Sequence, residues 1–298
     1  MNYKKELHIL NLGAGVQSTA VYLMLKDKLD YAIFADTGAE PPAVYEHLKW
    51  LQSLGGAEII VRSGGNLEED LKRGESIIGQ RFASIPAFTL KEGDDIRKKG
   101  ITRRQCTRDY KICVIEKTIR REILGLKPRA RVPKNVMIYQ YYGISLDEAR
   151  RARSIRNNNQ DKKWTNPRFP LLPEDLLSFM DKPQFDLNPI GIQTRRECIE
   201  YLKKVVPHEV PRSACVFCPY HDNNEWLRMK NEDVASWNRA VEIDKTLRIP
   251  GRIINRNLTA KLYLHKSCKP LSEIDFESLA KVPQMPQFAQ ECEGMCGV

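Results

Sequence analysis

The residues Gly13-Ala14-Gly15-Val16-Gln17-Ser18-Thr19 follow the apolar run His8-Ile9-Leu10-Asn11-Leu12 and lead into a helical pattern over residues 20–25. A strand that ends in small residues and opens a helix is built to cradle an anion. Gly13 and Gly15 let the backbone come close to a charge, and the unpaired N–H groups and positive end of the next helix then face it. Ser18 and Thr19 add hydroxyls at the helix start, which suits a phosphate or pyrophosphate. The stretch lacks the third glycine of a dinucleotide fingerprint and the Gly-Lys-Ser/Thr ending of a Walker A loop, which disfavours both of those nucleotide folds.

The second set of reactive groups is the eight cysteines. Cys106 sits in Arg103-Arg104-Gln105-Cys106-Thr107-Arg108-Asp109-Tyr110-Lys111, one thiol among four cations near a helix start. Cations and a helix N-terminus both favour thiolate, so Cys106 reads as a reactive group or a metal ligand. Cys215-Val216-Phe217-Cys218-Pro219 is a knuckle whose two sulfurs can reach one metal ion, and Cys292 and Cys296 form a C-x3-C beyond it. A zinc site made of Cys215, Cys218, Cys292 and Cys296 would leave Cys106 free to react. Cys113 and Cys198 fall at helical positions among apolar neighbours and read as buried core thiols, while Cys268 reads as incidental.

These groups need a frame. Strand patterns at residues 9–12, 31–35, 58–62 and 136–142 alternate with helical patterns at 19–26, 43–54 and 110–124. Such alternation implies an α/β fold, a doubly wound and mainly parallel sheet covered on both faces. Ligands of such sheets bind beyond the carboxyl ends of the strands, where Gly13-Ala14-Gly15 and Asp36-Thr37-Gly38-Ala39-Glu40 would meet. Residues 150–168 crowd seven cations around Asn157-Asn158-Asn159 and Trp164 and read as a mobile basic loop, where Trp164 could stack a nucleobase or pack. Thr194 caps a helix to about residue 204. The division expected is a nucleotide-binding domain over 1–206 and a small, cysteine-bearing helical region over 207–298, with Trp226 and Trp237 in its core.

Composition adds bounds. With 298 residues, 42% hydrophobic and 29% charged, the chain is globular, and no apolar run approaches the roughly 18 residues of a membrane span. A cytoplasmic location is expected, where thiols stay reduced and serve as ligands or nucleophiles. The net charge of +10 favours a polyanionic partner or a strongly anionic small substrate.

The loop at 13–19, then Asp36-Thr37-Gly38 with Pro41 and Tyr45, Cys106 with Lys111, and Gly143-Ile144 with Glu148 and Arg150 together resemble the phosphoadenosine phosphosulfate (PAPS) reductase family. That family belongs to the adenine nucleotide alpha-hydrolase, or PP-loop, superfamily. The similarity runs in order over most of the first 200 residues, and Glu291-Cys292-Glu293-Gly294 is similar to a looser form of the family's closing Glu-Cys-Gly. The resemblance implies a Rossmann-like fold and an ATP or PAPS site. In it Gly13, Ala14, Gly15, Gln17, Ser18 and Thr19 would hold phosphates, Asp36, Thr37 and Gly38 would lie near adenosine, and Lys111, Arg150 and nearby arginines would neutralise the anion. It also implies a 4Fe-4S cluster on Cys106, Cys215, Cys218 and a tail thiol, as the alternative to zinc, with magnesium at the phosphates. The chain departs from ATP-using members at Gly13, where they have Ser, and at Gln17, where they have Asp.

Three functions follow as expectations. One is ATP-dependent adenylation with sulfur transfer onto tRNA, DNA or another anionic substrate. Another is thiol-dependent reduction of PAPS or its 3′-dephospho form, with Cys292 or Cys296 as nucleophile and a thioredoxin-like partner. The last is a non-catalytic, metal-stabilised nucleic-acid-binding protein.

Overall fold

A computed structural model describes residues 5–74, 85–173, 185–249 and 259–280. Its centre is a five-stranded sheet in the order β3-β2-β1-β6-β7, formed by β1 (Lys5–Leu12), β2 (Tyr31–Asp36), β3 (Glu58–Ser63), β6 (Val136–Tyr141) and β7 (Thr165–Arg168). Every pairing is parallel, with Ile9 opposite Tyr31 on one side of β1 and Gln140 on the other. The strands read as near-continuous apolar runs because both faces are covered. Leu10 and Leu12 of β1 pack on α1 (Val16–Leu25), α2 (Pro42–Ser53) and α6 (Arg195–Val205), whereas Leu7 and Ile9 pack on α4 (Cys113–Thr118). This is the expected doubly wound α/β fold.

From β1 the chain builds outward through β2 and β3, then returns to lay β6 against the other edge of β1. The order therefore reverses between β1 and β6, which opens a crevice at their carboxyl ends. The loop after β1 stands there.

The second layer has its own core. Trp226, fully buried on α7 (Asn223–Glu232), meets Trp237 of α8 (Val234–Thr246) edge-on at 6.4 Å and Phe276 of α9 (Phe276–Ala280). Trp226 is thus core, as expected, and Trp237, half-buried, packs against that core. That cluster also takes Ala39, Leu67, Leu71, Ile85, Ala87 and Tyr110, so apolar packing runs across position 206. Strand β8 (Lys261–Tyr263) pairs with β4 (Phe88–Leu90), which pairs with β5 (Gly100–Ile101), an antiparallel sheet where the sequence offered few strand signals. Two long-range partners, each only two or three residues long, leave no period to read.

Two expectations are corrected. Residues 150–168 form no basic loop: 149–159 are helix α5 (Ala149–Asn159), 165–168 are strand β7, and Trp164 packs against the β1–α4 core. The amphipathic spacing of Ala152 and Ile155, both buried, outweighs the local charge. Cys113 is exposed rather than buried, because the helix holding it starts with a π turn that shifts its faces. Cys198 is buried as expected. No helix among the described residues is long and apolar enough to cross a membrane.

Candidate functional site

Gly15 caps α1, so the helix opens at Val16 and Ser18 falls in its first turn instead of ahead of it. From there Ser18 Oγ accepts the N–H groups of Gly13 at 3.2 Å and Gly15 at 3.3 Å. The hydroxyl thereby sits among the donors an anion would use. Ala14 holds φ at +56°, in the left-handed region, and is fully buried. Thr19 turns away: its Oγ1 lies 2.9 Å from Nε2 of buried His47, whose Nδ1 lies 2.8 Å from His208 Nε2. Burial, and then His208, bring the His47 pKa down to about 4.

Gln17 points across the crevice. Its amide nitrogen lies 3.4 Å from both Ser145 Oγ and Glu148 Oε2, on the connection between β6 and α5. A carboxylate from another element thus stands beside Gln17. Glu148 in turn accepts from Arg151, and both side chains are more than nine-tenths buried. Arg150, the residue expected to face the anion, is exposed. On a helix, adjacent residues point about 100° apart, and only Arg151, three residues after Glu148, shares its face.

At the end of β2, Asp36 Oδ1 accepts from the Gly38 N–H and the Tyr45 hydroxyl, each at 2.8 Å. Burial, followed by Asp36, raises the Tyr45 pKa, so the phenol stays protonated. Gly38 has φ +71°, and a Cβ there would come within 2.9 Å of the Asn66 side chain, so the turn needs glycine. Thr37 Oγ1 stands 3.4 Å from both Glu40 Oε1 and Cys215 Sγ. Lys111 binds Glu40 at 3.2 Å, with both side chains buried. Its charge is therefore shared with a carboxylate that sequence reasoning passed over.

Lys111 reaches Glu40 from a π turn, Thr107–Ile112, that begins right after Cys106. Such turns are rare and gather at functional sites. The Tyr110 hydroxyl of the same turn donates to buried Asp70, tying it to α3 (Leu67–Arg73). The Cys215-Cys218 knuckle closes through Cys218 N–H to Cys215 O at 2.9 Å, and Val216 N–H binds Ala39 O at 2.8 Å. Cys106, Cys215 and Cys218 line one small pocket together with Arg104, Leu67 and Pro86. Among the described residues, no three Cys, His, Asp or Glu side chains close around a single point as metal ligands. Cys292 and Cys296, expected as further ligands or nucleophiles, lie outside the described residues.

A cleft of about 810 Å³ touches the loop at Val16 and is lined also by Pro41, Ala43, Arg195, Lys203 and Arg212. The structure thus brings Gly13, Gly15, Gln17 and Ser18 to one end of the sheet and links Thr37 to the thiol pocket. Sequence reasoning gave no role to Ser145, placed Glu40 in the strand-end loop without one, and took Arg151 only as one of the arginines near Arg150. Only the Glu148-Arg151 spacing carried a signal, a carboxylate and a guanidinium one helical turn apart.

No family model, no curated protein and no solved structure matches the chain.

Proposed function

We propose that this chain is a PP-loop enzyme of the PAPS reductase type, which binds ATP at the carboxyl end of β1 and catalyses adenylation and sulfur transfer on tRNA or DNA. One observation carries the reading: Thr37, in the turn after β2 that neighbours the phosphate loop after β1, lies 3.4 Å from the Cys215 thiol, so the turn next to the anion cradle also touches the three-thiol pocket.

A substrate oxygen attacks the α-phosphorus of ATP, the bond to the bridging oxygen breaks, and pyrophosphate leaves into the loop. A sulfur nucleophile then displaces AMP from the activated carbon. In this scheme a phosphate oxygen takes over the Gly13 and Gly15 N–H groups, which releases the Ser18 hydroxyl to donate. Arg151, fixed by Glu148, provides positive charge without reorganising. Magnesium at the phosphates would take the Glu148 carboxylate as an oxygen ligand.

The thiol pocket is a soft donor set, suited to iron or zinc and unsuited to magnesium. Cys106, Cys215 and Cys218, with Cys292 or Cys296, would hold a 4Fe-4S cluster, and zinc on Cys215, Cys218, Cys292 and Cys296 is the other assignment. Bound there, the cluster would supply a Lewis-acidic iron for sulfur.

Anaerobically purified protein is expected to contain iron with visible absorbance, and to release pyrophosphate and AMP from ATP only when tRNA or DNA is present. Sulfite production from PAPS with thioredoxin would replace this reading with the reductase one. Salt-sensitive polynucleotide binding without any ATP turnover would replace it with a non-catalytic one.

A further inference from the structure

The small antiparallel sheet β4-β5-β8 and the segments that flank it carry a net positive charge. Residues 88–104 and 259–269 contain nine basic side chains and three acidic ones, more than half of the chain's net +10. All three acids are engaged locally: Asp95 with Arg97 at 2.8 Å, Asp94 with Lys98 at 3.4 Å and Glu92 with Lys261 at 3.1 Å. No carboxylate among the described residues pairs with Lys91, Lys99, Arg103, Lys266 or Lys269, and all five are exposed. The scaffold beneath them is fixed. Thr102 exchanges hydrogen bonds with Ala87, and Lys99 Nζ ties the hairpin to β8 through the Lys266 carbonyl at 3.1 Å. Between the cations, Ile96 and Ile101 are 43% and 48% exposed.

This surface leads somewhere. From Ile101 at the sheet edge the chain runs through Arg103 and Arg104 to Cys106, and Arg104 already lines the thiol pocket. We propose that the β4-β5-β8 sheet is a nucleic-acid-binding wing, which grips the phosphate backbone of the substrate and leads it to the pocket of Cys106, Cys215 and Cys218. The proposal rests on the nucleic-acid reading above and gives that substrate its docking surface. The five cations stand in the segments that flank the three strands, and the isoleucines between them suit sugar and base faces. Contacts of this kind hold the backbone without reading sequence.

The test compares the full chain with two triple variants of equal charge change. One carries Lys91→Glu, Lys99→Glu and Lys266→Glu on the wing. The other carries Lys49→Glu, Lys117→Glu and Lys204→Glu on exposed faces away from it. Binding of fluorescein-labelled tRNA and duplex DNA is followed by anisotropy across a salt series, with polyglutamate as an acidic-polypeptide comparator. The wing variant is expected to lose at least about tenfold more affinity than the control and to lower the salt slope by about 2–3, as three lost phosphate contacts would. Equal losses in both triples, or polyglutamate binding as tight as tRNA, would overturn the proposal. The corresponding triple Lys→Gln variant, expected to lose about half as many decades, keeps the comparison if charge reversal impairs folding. ATP binding is measured on the same proteins without nucleic acid. Nucleic-acid binding that does not depend on the wing, in a chain that binds ATP, refutes the wing alone, and wing-dependent binding in a chain that never binds ATP refutes the enzyme alone.

Discussion

Separating Lys111 from Glu40 should be among the most damaging polar changes in the site. Their charges are 3.2 Å apart, with side-chain exposures of 6% and 0%. At an effective dielectric of about 20 their attraction is about 5 kcal/mol, which offsets the cost of taking both ions out of water. Lys111→Met leaves the Glu40 carboxylate buried beside Thr37 and Cys215, and Glu40→Gln leaves an ammonium in the same apolar surroundings. Each should cost about 3–5 kcal/mol. The double variant removes both charges and should cost clearly less than the two losses combined, giving a coupling energy of about 2–4 kcal/mol. Urea unfolding at neutral pH measures all four proteins, with an unchanged dependence on denaturant as the control that the unfolded state is comparable. Single losses below about 1 kcal/mol, the range of exposed pairs, would refute the argument, and so would strict additivity in the double variant.

Acid should destabilise the fold before its carboxylates titrate. His47, His221 and His265 are buried, and burial, ahead of the neighbouring His208, Arg212 and Lys266 respectively, lowers each pKa from 6.5 to about 4. Each is neutral when folded and protonates more readily when unfolded, so stability is flat above about pH 6.5 and falls from there towards pH 4, by about 1.4 kcal/mol per pH unit per histidine. Thermal denaturation across that range should show the slope, and His47→Gln should make it shallower. Ser18→Ala strips two buried N–H groups of their acceptor and should cost about 1–2 kcal/mol while reducing the ATP-induced rise in melting temperature, which calorimetry reads directly. Arg151→Met, which leaves Glu148 unpaired in a buried position, should lower stability by about 3–5 kcal/mol and weaken ATP binding, whereas Arg150→Met should stay within about 0.5 kcal/mol of the parent.

Much of the frame was legible because strands of a covered parallel sheet are apolar on both faces. The patterns at 9–12, 31–35 and 58–62 sit inside β1, β2 and β3, and Thr194 caps α6 through Glu197 as its residue type foretells. What escaped depends on distance or on facing. Glu40 and Lys111 are 71 positions apart, and β4 meets β8 across more than 170 residues, so no local pattern announces either pairing. Arg150 and Arg151 differ only in the face they occupy, which a helix hidden inside a run of arginines conceals. The basic wing was overlooked for a related reason, since its cations gather on one sheet only after residues 88–104 and 259–269 come together.

The helix that follows Cys106 departs from a regular spiral twice, with π turns at Thr107–Ile112 and Ile119–Ile123 on either side of α4. Each π turn holds one residue beyond the α repeat, and removing one would turn everything on its far side by about 100°. The two insertions therefore behave as separate angular adjusters on one rod. The first sets Cys106 against the pocket independently of how α4 seats on the sheet, and the second aims the chain toward β6 without disturbing the thiol. A single-residue deletion in the first should disconnect the cysteine from its partners while leaving the sheet whole, a change of aim with no change of fold.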